Sequence, residues 1–333
     1  MSYKDSFRSL YKNLSLSLHE IDSEIDFATD ILFNLSPKDF LLGKSLSQEQ
    51  ENILKKIISE RVETDRPLQQ ILGQAYFAGD KFFVSKDTLI PRPETEFIIE
   101  VCKNNFDKNQ DLKILDIGTG SGCIAIELAK SFPKAMVDGV DISPAALEIA
   151  QKNANFHNLS GRVKFFSSDV FSNVTGAFDI IVSNPPYIPF EADNVQKNVS
   201  DYEPHSALFA EDNGLFFYKK IISESPKYLK DNALVVFECG IGQAESISDI
   251  FSENGFVNIR FTEDYDGINR VVSANFKRYF TFSLVMLLYS EQKTERILTW
   301  QNLYVRFAVT FTKAIPLPKN ARFAVYHQIN SKR

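Results

Sequence analysis

Two short segments of the sequence combine residue types that could bind or transfer a small chemical group. The first is Asn184-Pro185-Pro186-Tyr187, which follows the apolar, β-branched run 180–182. Such a run predicts a buried strand, and the prolines stop it because proline cannot donate a ladder hydrogen bond. Asn184 is therefore expected at the carboxyl end of a strand, which is where open α/β sheets bind their ligands.

The residue types of this segment suit a planar group with two N–H donors, such as an amide or an exocyclic amine. The side-chain carbonyl of Asn184 is one acceptor, and the backbone carbonyl of Pro185, held in place by Pro186, is a second. Tyr187 offers a flat ring against which the planar group could lie. A rigid turn without chemical function explains the same four residues, so the rest of the chain has to decide.

The second segment is a glycine-rich turn after the strand expected at 113–117 and before a helix expected from about Cys123 to Lys130. Such a turn lets the backbone approach a ligand closely beside a helix amino terminus. A nicotinamide fingerprint would require a third glycine where Cys123 stands, so the G-x-G-x-G spacing after Asp116 argues against a dehydrogenase. The turn consists of Gly118, Thr119, Gly120, Ser121 and Gly122.

Two further carboxylates follow at expected strand ends. The strand predicted at 135–141 ends in Asp141, whose carboxylate could accept both hydroxyls of a ribose. The strand predicted at 163–166 leads to Asp169 and Val170, which could accept from an adenine amino group and pack on the ring. Alone, Asp169 would be an ordinary loop acid; in this series a cofactor contact is favoured.

The elements that must position these residues follow from the pattern of the chain. Strands and helices alternate from about residue 111, which predicts a parallel sheet with helices on both faces. Before that, helices are expected up to about residue 72, with starts at Ser36-Pro37 and at Ser47, which has Gln50 in capping-box spacing. A hairpin with a Gly-Asp turn is expected at 76–84, and 89–96 is either an interdomain connector or a wall of the active site.

Composition limits the possible functions. The formal net charge of −6 over 333 residues argues against a protein that coats nucleic acid through a general basic surface. Cys102, Cys123 and Cys239 are widely spaced, which suits a reducing cytosol and offers no metal-ligand pattern. No signal peptide is visible, and the most apolar run, 279–289, is too short to span a bilayer as a helix. We expect a cytoplasmic protein without metal or membrane contact.

Together these motifs resemble the class I S-adenosylmethionine-dependent methyltransferases that act on amide or amino nitrogen, and more narrowly the release factor glutamine N5-methyltransferase family. The resemblance covers about residues 15–276. It includes the segments 67–73, 82–84, 89–96, 202–204, 207–209, 212–215, 238–243 and 266–272. It implies an α/β fold, namely a Rossmann-like class I methyltransferase sheet with helices on both faces, plus a small N-terminal helical domain.

The resemblance also implies a domain organisation. A helical domain at 1–75 would contact the substrate, a β-hairpin and linker would follow at 76–95, and the methyltransferase domain would occupy 96–279. Residues 280–333 lie beyond the family pattern and have no assigned role. Within them, alternating residues at 303–311 predict one strand.

The implied activity is transfer of a methyl group from S-adenosylmethionine to the side-chain amide nitrogen (N5) of the glutamine in the Gly-Gly-Gln motif of class I peptide chain release factors. The residues implied for the cofactor are Gly118, Thr119, Gly120, Ser121, Gly122, Asp141, Asp169, Val170 and Asn184. The residues implied for the glutamine are Asn184, Pro185, Pro186 and Tyr187, of which Asn184, Pro185 and Tyr187 are the catalytic ones. No strong base is needed because the attacked nitrogen becomes acidic once methylated, so His157 and His205 are interpreted as structural or surface residues.

Two other functions stay open on the residues alone. An adenine-N6 methyltransferase acting on DNA or RNA could use the same four residues, but such an enzyme normally needs a basic groove. Residues 280–333 hold eight Lys and Arg against two Glu, so residues 1–279 carry a net charge of −12, which disfavours nucleic acid. A cofactor-binding adaptor without activity would be expected to have lost Asn184 or the glycine turn, and both are present.

Two positions depart from the family pattern. Val170 stands where some relatives carry a tryptophan beside the adenine, which predicts looser packing of that ring. The segment 209–212 lacks a glycine pair that is common there, so the conformation of this loop is not predicted.

Overall fold

The computed structural model describes residues 3–12, 14–192 and 196–278. The predicted run at 279–289 and the predicted strand at 303–311 lie outside the described residues. The amino-terminal part is helical, as predicted. Its helices are α1 (Asp5–Arg8), α2 (Leu18–Phe33), α3 (Pro37–Leu41), α4 (Gln48–Thr64) and α5 (Leu68–Leu72), with a 3₁₀ turn at Ser9–Tyr11.

Capping residues fix where these helices begin. The predicted starts of α3 and α4 are confirmed: the Ser36 N–H donates to Asp39, and Ser47 and Gln50 form a complete capping box. The helices enclose a small core of their own, which explains why this part folds without strands. Its buried members are Phe7, Tyr11, Ile25, Ala28, Leu54, Ile58 and Leu68.

A hairpin follows the helices. Strands β1 (Gln74–Phe77) and β2 (Asp80–Phe83) pair in antiparallel register, as predicted. The predicted Gly-Asp turn is wrong by one residue, because Asp80 already pairs with Phe77 and the turn is Ala78-Gly79. Both turn residues have positive φ, 51° and 84°, which is the conformation that matches the twist of a two-residue hairpin.

The remaining strands are β3 (Lys113–Ile117), β4 (Met136–Asp141), β5 (Val163–Ser167), β6 (Phe178–Ser183), β7 (Ile188–Pro189), β8 (Phe209–Ala210), β9 (Leu229–Glu238), β10 (Val257–Glu263) and β11 (Asn269–Asn275). Seven of them form one sheet in the order β10-β11-β9-β6-β3-β4-β5. The strands from β5 across to β9 are parallel, as predicted. At the other edge β10 and β11 are antiparallel, because the short connection 264–268 can join only antiparallel strands.

The remaining helices are α6 (Glu96–Asn105), α7 (Cys123–Ser131), α8 (Pro144–Phe156), α9 (Lys197–Tyr202), α10 (His205–Leu208), α11 (Phe216–Glu224) and α12 (Ala244–Glu253). Of these, α6, α7, α8, α11 and α12 pack on the sheet. Alternate residues of β6 enter different cores. Ile180 and Val182 pack with residues of α6 and α7, whereas Ile181 packs with residues of α11 and α12. The sheet therefore has helices on both faces, and the predicted Rossmann-like class I methyltransferase architecture is confirmed.

Within 3–12, 14–192 and 196–278, no helix has the length and apolar character needed to cross a membrane.

Candidate active site

A cavity of about 440 Å³ opens at the carboxyl ends of the parallel strands. Its walls include most of the residues singled out in the sequence. These are Gly118, Thr119, Gly120, Ser121, Asp141, Asp169, Val170, Asn184, Pro185 and Pro186. Gly122 and Tyr187 are not among the lining residues. The strand order explains this convergence, because β3 lies between β4 and β6 and brings the glycine turn beside both Asp141 and Asn184.

The glycine-rich turn connects β3 to α7 and is held by the end of β4. The N–H groups of Gly118 and Thr119 both donate to the Val140 carbonyl, at 2.8 and 2.9 Å. Gly118 has φ +71°, and a Cβ there would meet no atom within 4 Å, so backbone alone faces the cavity. Gly122 has a different reason to be glycine, since its φ is +79° and a Cβ would lie 2.8 Å from Phe165.

Asp116 lies beneath the turn and does not reach the cavity surface. It is fully buried, and its Oδ2 accepts from the Thr119 hydroxyl at 2.6 Å. Its Oδ1 has no hydrogen-bond partner among the described residues. Burial raises the pKa of Asp116 to about 7, because the charged form loses its hydration.

Asp141 joins the turn to the following helix. Its Oδ2 accepts from the Gly120 N–H and its Oδ1 from the Ser143 N–H, both at 2.9 Å. These two bonds fix the carboxylate at the cavity wall, and each oxygen keeps a lone pair for a further donor. A pair of ribose hydroxyls is such a donor set.

Asp169 and Val170 line the same cavity after β5. The Asp169 carboxylate forms an ion pair with Lys220 of α11 at 2.9 Å, a partner that the sequence did not indicate. Val170 is buried and has φ +51°, which is strained for a β-branched residue. Its side chain belongs to the core beside the cavity, so a small apolar group stands where some relatives have tryptophan.

The cavity fits S-adenosylmethionine, the cofactor of the methyltransferases. Backbone faces the cavity at Gly118, and the carboxylates of Asp141 and Asp169 line it, where they would be acceptors for a ribose diol and an adenine amine. Ile142 and Val170 add apolar surface at the same wall. A volume of about 440 Å³ lies in the range of small-molecule sites.

Asn184 begins a chain of hydrogen bonds that leads away from the cavity. Its Nδ2 donates to the Thr95 hydroxyl at 3.2 Å, and the Thr95 hydroxyl donates to Oε2 of Glu238 at 2.5 Å. Thr95 and Glu238 are both buried. Glu238 ends β9, whose neighbour β6 leads to Asn184, and this adjacency brings the two residues together.

Tyr187 also contacts Glu238. Its hydroxyl donates to Oε1 at 3.2 Å, and its ring packs on the core formed with α11 and α12. Burial raises the pKa of the Tyr187 hydroxyl well above its usual range. That the Tyr187 ring faces a bound amide stays a prediction.

Gly214 supports the backbone of this turn. A Cβ at Gly214 would lie 2.0 Å from the Tyr187 carbonyl oxygen, so the two backbones touch. The loop before it lacks the glycine pair common in relatives, but Asp212 and Asn213 adopt positive φ in their place, at 58° and 54°. Asx residues tolerate this conformation best among non-glycine residues.

The segment 89–96 is part of the cavity wall. Leu89, Pro91 and Thr95 line the cavity, so of the two interpretations of this segment the structure supports the wall. Glu203, whose side chain is fully buried, holds the segment: its Oε2 accepts from the Ile90 N–H at 2.9 Å, and its Oε1 pairs with Arg92.

Neither His157 nor His205 lines the cavity. A ring nitrogen of His157 contacts the Lys81 carbonyl oxygen at 3.0 Å, and burial lowers the pKa of His157. A ring nitrogen of His205 contacts the Ser200 carbonyl oxygen at 2.9 Å. Among the residues that the structure describes, no group of three or more His, Cys, Asp or Glu is placed to hold a metal ion.

Sequence reasoning missed three residues of this region. Thr95 and Glu238 lie inside segments that match the family, but they are more than 140 positions apart and only the strand order joins them. Lys220 occurs on a helix without any motif, so no sequence signal pointed to it.

Comparisons with known proteins place the chain in a family. The sequence model of the family described as methyltransferase small domain matches residues 94–201. The release factor glutamine methyltransferase of Flavobacterium psychrophilum is 38% identical over 266 residues, which cover 78% of this chain and 93% of that protein. The enzyme of the same name from Geobacter sulfurreducens is 41% identical over 231 residues, covering 69% of this chain and 80% of the other.

A solved structure also resembles the chain. It is a release-factor-specific protein-(glutamine-N5) methyltransferase from Alicyclobacillus acidocaldarius, 28% identical, and the match covers 57% of this chain and 95% of that one with a TM-score of 0.36. The identities and the coverage of the two sequence relatives are decisive. This chain belongs to the release factor glutamine methyltransferase family.

Proposed function

We propose that this chain transfers a methyl group from S-adenosylmethionine to the N5 amide nitrogen of the glutamine in the Gly-Gly-Gln motif of class I peptide chain release factors. The observation that carries the proposal is one cavity in which the glycine turn and Asp141 meet Asn184 and Pro185. Family membership supports the same activity.

In this proposal the cofactor is held by the turn 118–122, Asp141, Asp169, Val170 and Asn184. When bound, S-adenosylmethionine supplies an electrophilic methyl group. The side chain of Asn184 and the carbonyl of Pro185 accept the two N–H groups of the glutamine amide and orient its nitrogen. Acceptors held in place in this way stabilise the positive charge that develops on nitrogen, and most of the acceleration comes from this and from positioning.

Pro186 and Tyr187 complete the proposed glutamine site. Proline at 186 restrains the backbone that presents the Pro185 carbonyl. Tyr187 fixes the end of the same turn through its bond to Glu238. No side chain acts as a strong base, because the methylated nitrogen is acidic enough to release its proton to water.

The proposal includes a division of the chain. The helices within 1–75 contact the release factor, 76–95 form the hairpin and linker, and 96–279 perform the transfer. Direct binding of nucleic acid is not part of the activity, and the place of action is the cytoplasm because release factors act on the ribosome. We assign no role to 280–333.

The experiment is transfer of labelled methyl from S-adenosylmethionine to a purified class I release factor. We expect label with the wild type, a loss of about 100-fold or more in kcat with Asn184→Ala, and none when the Gly-Gly-Gln glutamine is replaced. Asn109→Ala, in an exposed loop, is the matched control. Label appearing in adenine-containing DNA or RNA and not in the release factor would refute the proposal, and labelling of neither would favour the adaptor.

A further inference from the structure

The Asn184 amide has two possible orientations, and only one of them suits a substrate with N–H donors. With Nδ2 on Thr95, the oxygen Oδ1 remains available to accept from the substrate. With the amide turned by 180°, Nδ2 would face the substrate N–H groups, and two donors would oppose each other. Because Asn184 is planar and nearly symmetric in shape, its hydrogen-bond partners alone decide between these orientations.

Thr95 decides the orientation through its single proton. A threonine hydroxyl has one O–H and two lone pairs. The Thr95 hydroxyl donates to Oε2 of Glu238, with 2.5 Å between the two oxygens, so only lone pairs remain for Asn184. Nδ2 donates to one of them at 3.2 Å. Thr95 is 3% exposed and Glu238 2%, so bulk water does not compete for these bonds.

Glu238 in turn decides where the Thr95 proton goes. An ionised carboxylate only accepts hydrogen bonds, and Glu238 accepts from Thr95 on one oxygen and from Tyr187 on the other. A neutral Glu238 could donate to Thr95, and the Thr95 proton would then be free to point at Asn184. The carboxylate form therefore fixes the direction of the whole chain of bonds.

We propose that Thr95 and Glu238 are positioning residues that hold the Asn184 amide with its oxygen toward the substrate nitrogen. This role rests on the proposed function, because Thr95 and Glu238 act on the substrate only through Asn184. It also gives the buried Glu238 a role, since it lines no part of the cavity itself.

The surroundings of Glu238 make the orientation of the Asn184 amide sensitive to pH. Burial raises its pKa to about 7, and Glu94 adds to that rise, while the bonds from Thr95 and Tyr187 and the nearby Arg270 oppose it. The nearby Tyr218 hydroxyl donates to the Glu238 backbone carbonyl at 2.8 Å and not to its carboxylate. Since the carboxylate is the orienting form, kcat should fall as the pH drops below about 7.

The first test compares Thr95→Val, which keeps the shape and removes the hydroxyl, with Thr95→Ser, which keeps the hydroxyl. We expect Thr95→Val to lower kcat about tenfold or more, with the KM for S-adenosylmethionine changed by less than about twofold, and Thr95→Ser to recover most of that loss. Thr29→Val is the control, because Thr29 is equally buried, its hydroxyl donates to the Asp26 carbonyl, and it does not line the cavity. A folded Thr95→Val enzyme with wild-type kcat overturns the proposal.

The second test uses Glu238→Gln and the pH profile of kcat. The acidic limb near pH 7 of the wild type should disappear in the variant, because glutamine does not titrate. An acidic limb that persists unchanged in Glu238→Gln overturns the proposal, and this holds even if Thr95→Val does not fold.

The third measurement needs no substrate. The chemical shifts of the Asn184 side-chain NH₂ should change with pH as Glu238 titrates, in the wild type and in Thr95→Ser. Shifts that do not change with pH in either protein would overturn the inference. If the wild type fails to label a release factor while these resonances titrate, the proposed function is wrong, but Thr95 and Glu238 still orient the Asn184 amide.

Discussion

Asp116 lies just before the glycine turn but does not line the cavity. It is fully buried under the turn, and its Oδ1 has no hydrogen-bond partner among the described residues. Leaving a buried polar atom without a partner costs about 1–3 kcal/mol. Burial strips the charged form of its hydration and the nearby Asp141 carboxylate disfavours that form as well, so the pKa of Asp116 rises to about 7.

We predict that Asp116→Asn changes how stability depends on pH. The carboxyl binds its proton more tightly in the fold than in the unfolded chain, where its pKa is about 4. Its contribution is therefore fully present below about pH 4 and is lost as the pH rises through about 7. Urea unfolding from pH 4 to 8 should show the free energy of unfolding shifting in favour of Asp116→Asn as the pH rises.

The exposed Asp111 gives the control for this prediction. Asp111→Asn should leave the pH dependence of the wild type in place. Parallel stability curves for Asp116→Asn and the wild type would show that Asp116 does not titrate in this range.

The sequence predicted some of these residues and not others, for a physical reason. Asn184, Asp141 and the glycines lie at strand ends and in turns, where the local chain already restricts the residue type. Thr95 and Glu238 are ordinary in their own segments, and their bond exists only because β9 lies beside β6. Contacts of this kind depend on strand order, which spacing along the chain does not encode.

At the scale of elements, one side chain of α8 bonds to both the hairpin of β1 and β2 and the glycine turn. Asn153 of α8 has no exposed surface. Its Oδ1 accepts from the Phe83 N–H at 2.7 Å, and its Nδ2 donates to the carbonyls of Phe83 and Ser121, at 2.9 and 2.8 Å. The same amide therefore holds both the hairpin and the glycine turn.

We predict that Asn153→Ala lowers the free energy of unfolding by about 3 kcal/mol, because the buried Ser121 carbonyl and two half-buried backbone groups of Phe83 lose their partner. It should also weaken binding of S-adenosylhomocysteine, since the Ser121 carbonyl is released beside the cavity. Urea unfolding and calorimetric titration measure the two effects. The exposed Asn155 on the same helix is the control, and equal losses in Asn155→Ala would contradict the assignment.

Element types and most boundaries followed from the sequence because helix caps and strand periods are local signals. The helix starts predicted at Ser36 and Ser47 are confirmed, and strands β3 to β6 follow each other along the chain as predicted. The antiparallel edge was not anticipated, because the alternation of strands and helices stops after α12 and only the short connection 264–268 reveals the change of direction.

At the scale of the whole molecule, the amino-terminal helices expose apolar surface. Leu41 and Leu42 at the end of α3 are 87% and 75% exposed. Adjacent exposed leucines on a small domain are a feature of protein-binding surfaces. They support the proposal that this part of the chain contacts the release factor.

We predict that Leu41→Ser combined with Leu42→Ser raises the KM for the release factor about fivefold or more, the effect of losing about 1 kcal/mol of contact. The affinity for S-adenosylmethionine should not change. Steady-state kinetics with labelled methyl measure the KM for the release factor, and calorimetry measures the affinity for S-adenosylmethionine. Leu18→Ser, which alters an exposed leucine of α2, is the control, and an unchanged KM in the double variant would remove these leucines from the interface.

Tyr202 forms two hydrogen bonds to residues of the amino-terminal part, and these bonds affect how chimeras of this chain and its relatives can be built. The Gln70 side chain donates to the Tyr202 carbonyl at 2.7 Å, and the Tyr202 hydroxyl donates to the Thr64 carbonyl at 2.5 Å. A chimera joined near residue 75 thus inherits one half of each bond from each parent. Since both acceptors are backbone, these two bonds survive in a hybrid whose parents share Gln70 and Tyr202. The Lys81–Asp30 ion pair crosses the same junction and has both partners in side chains, so it has to match as well.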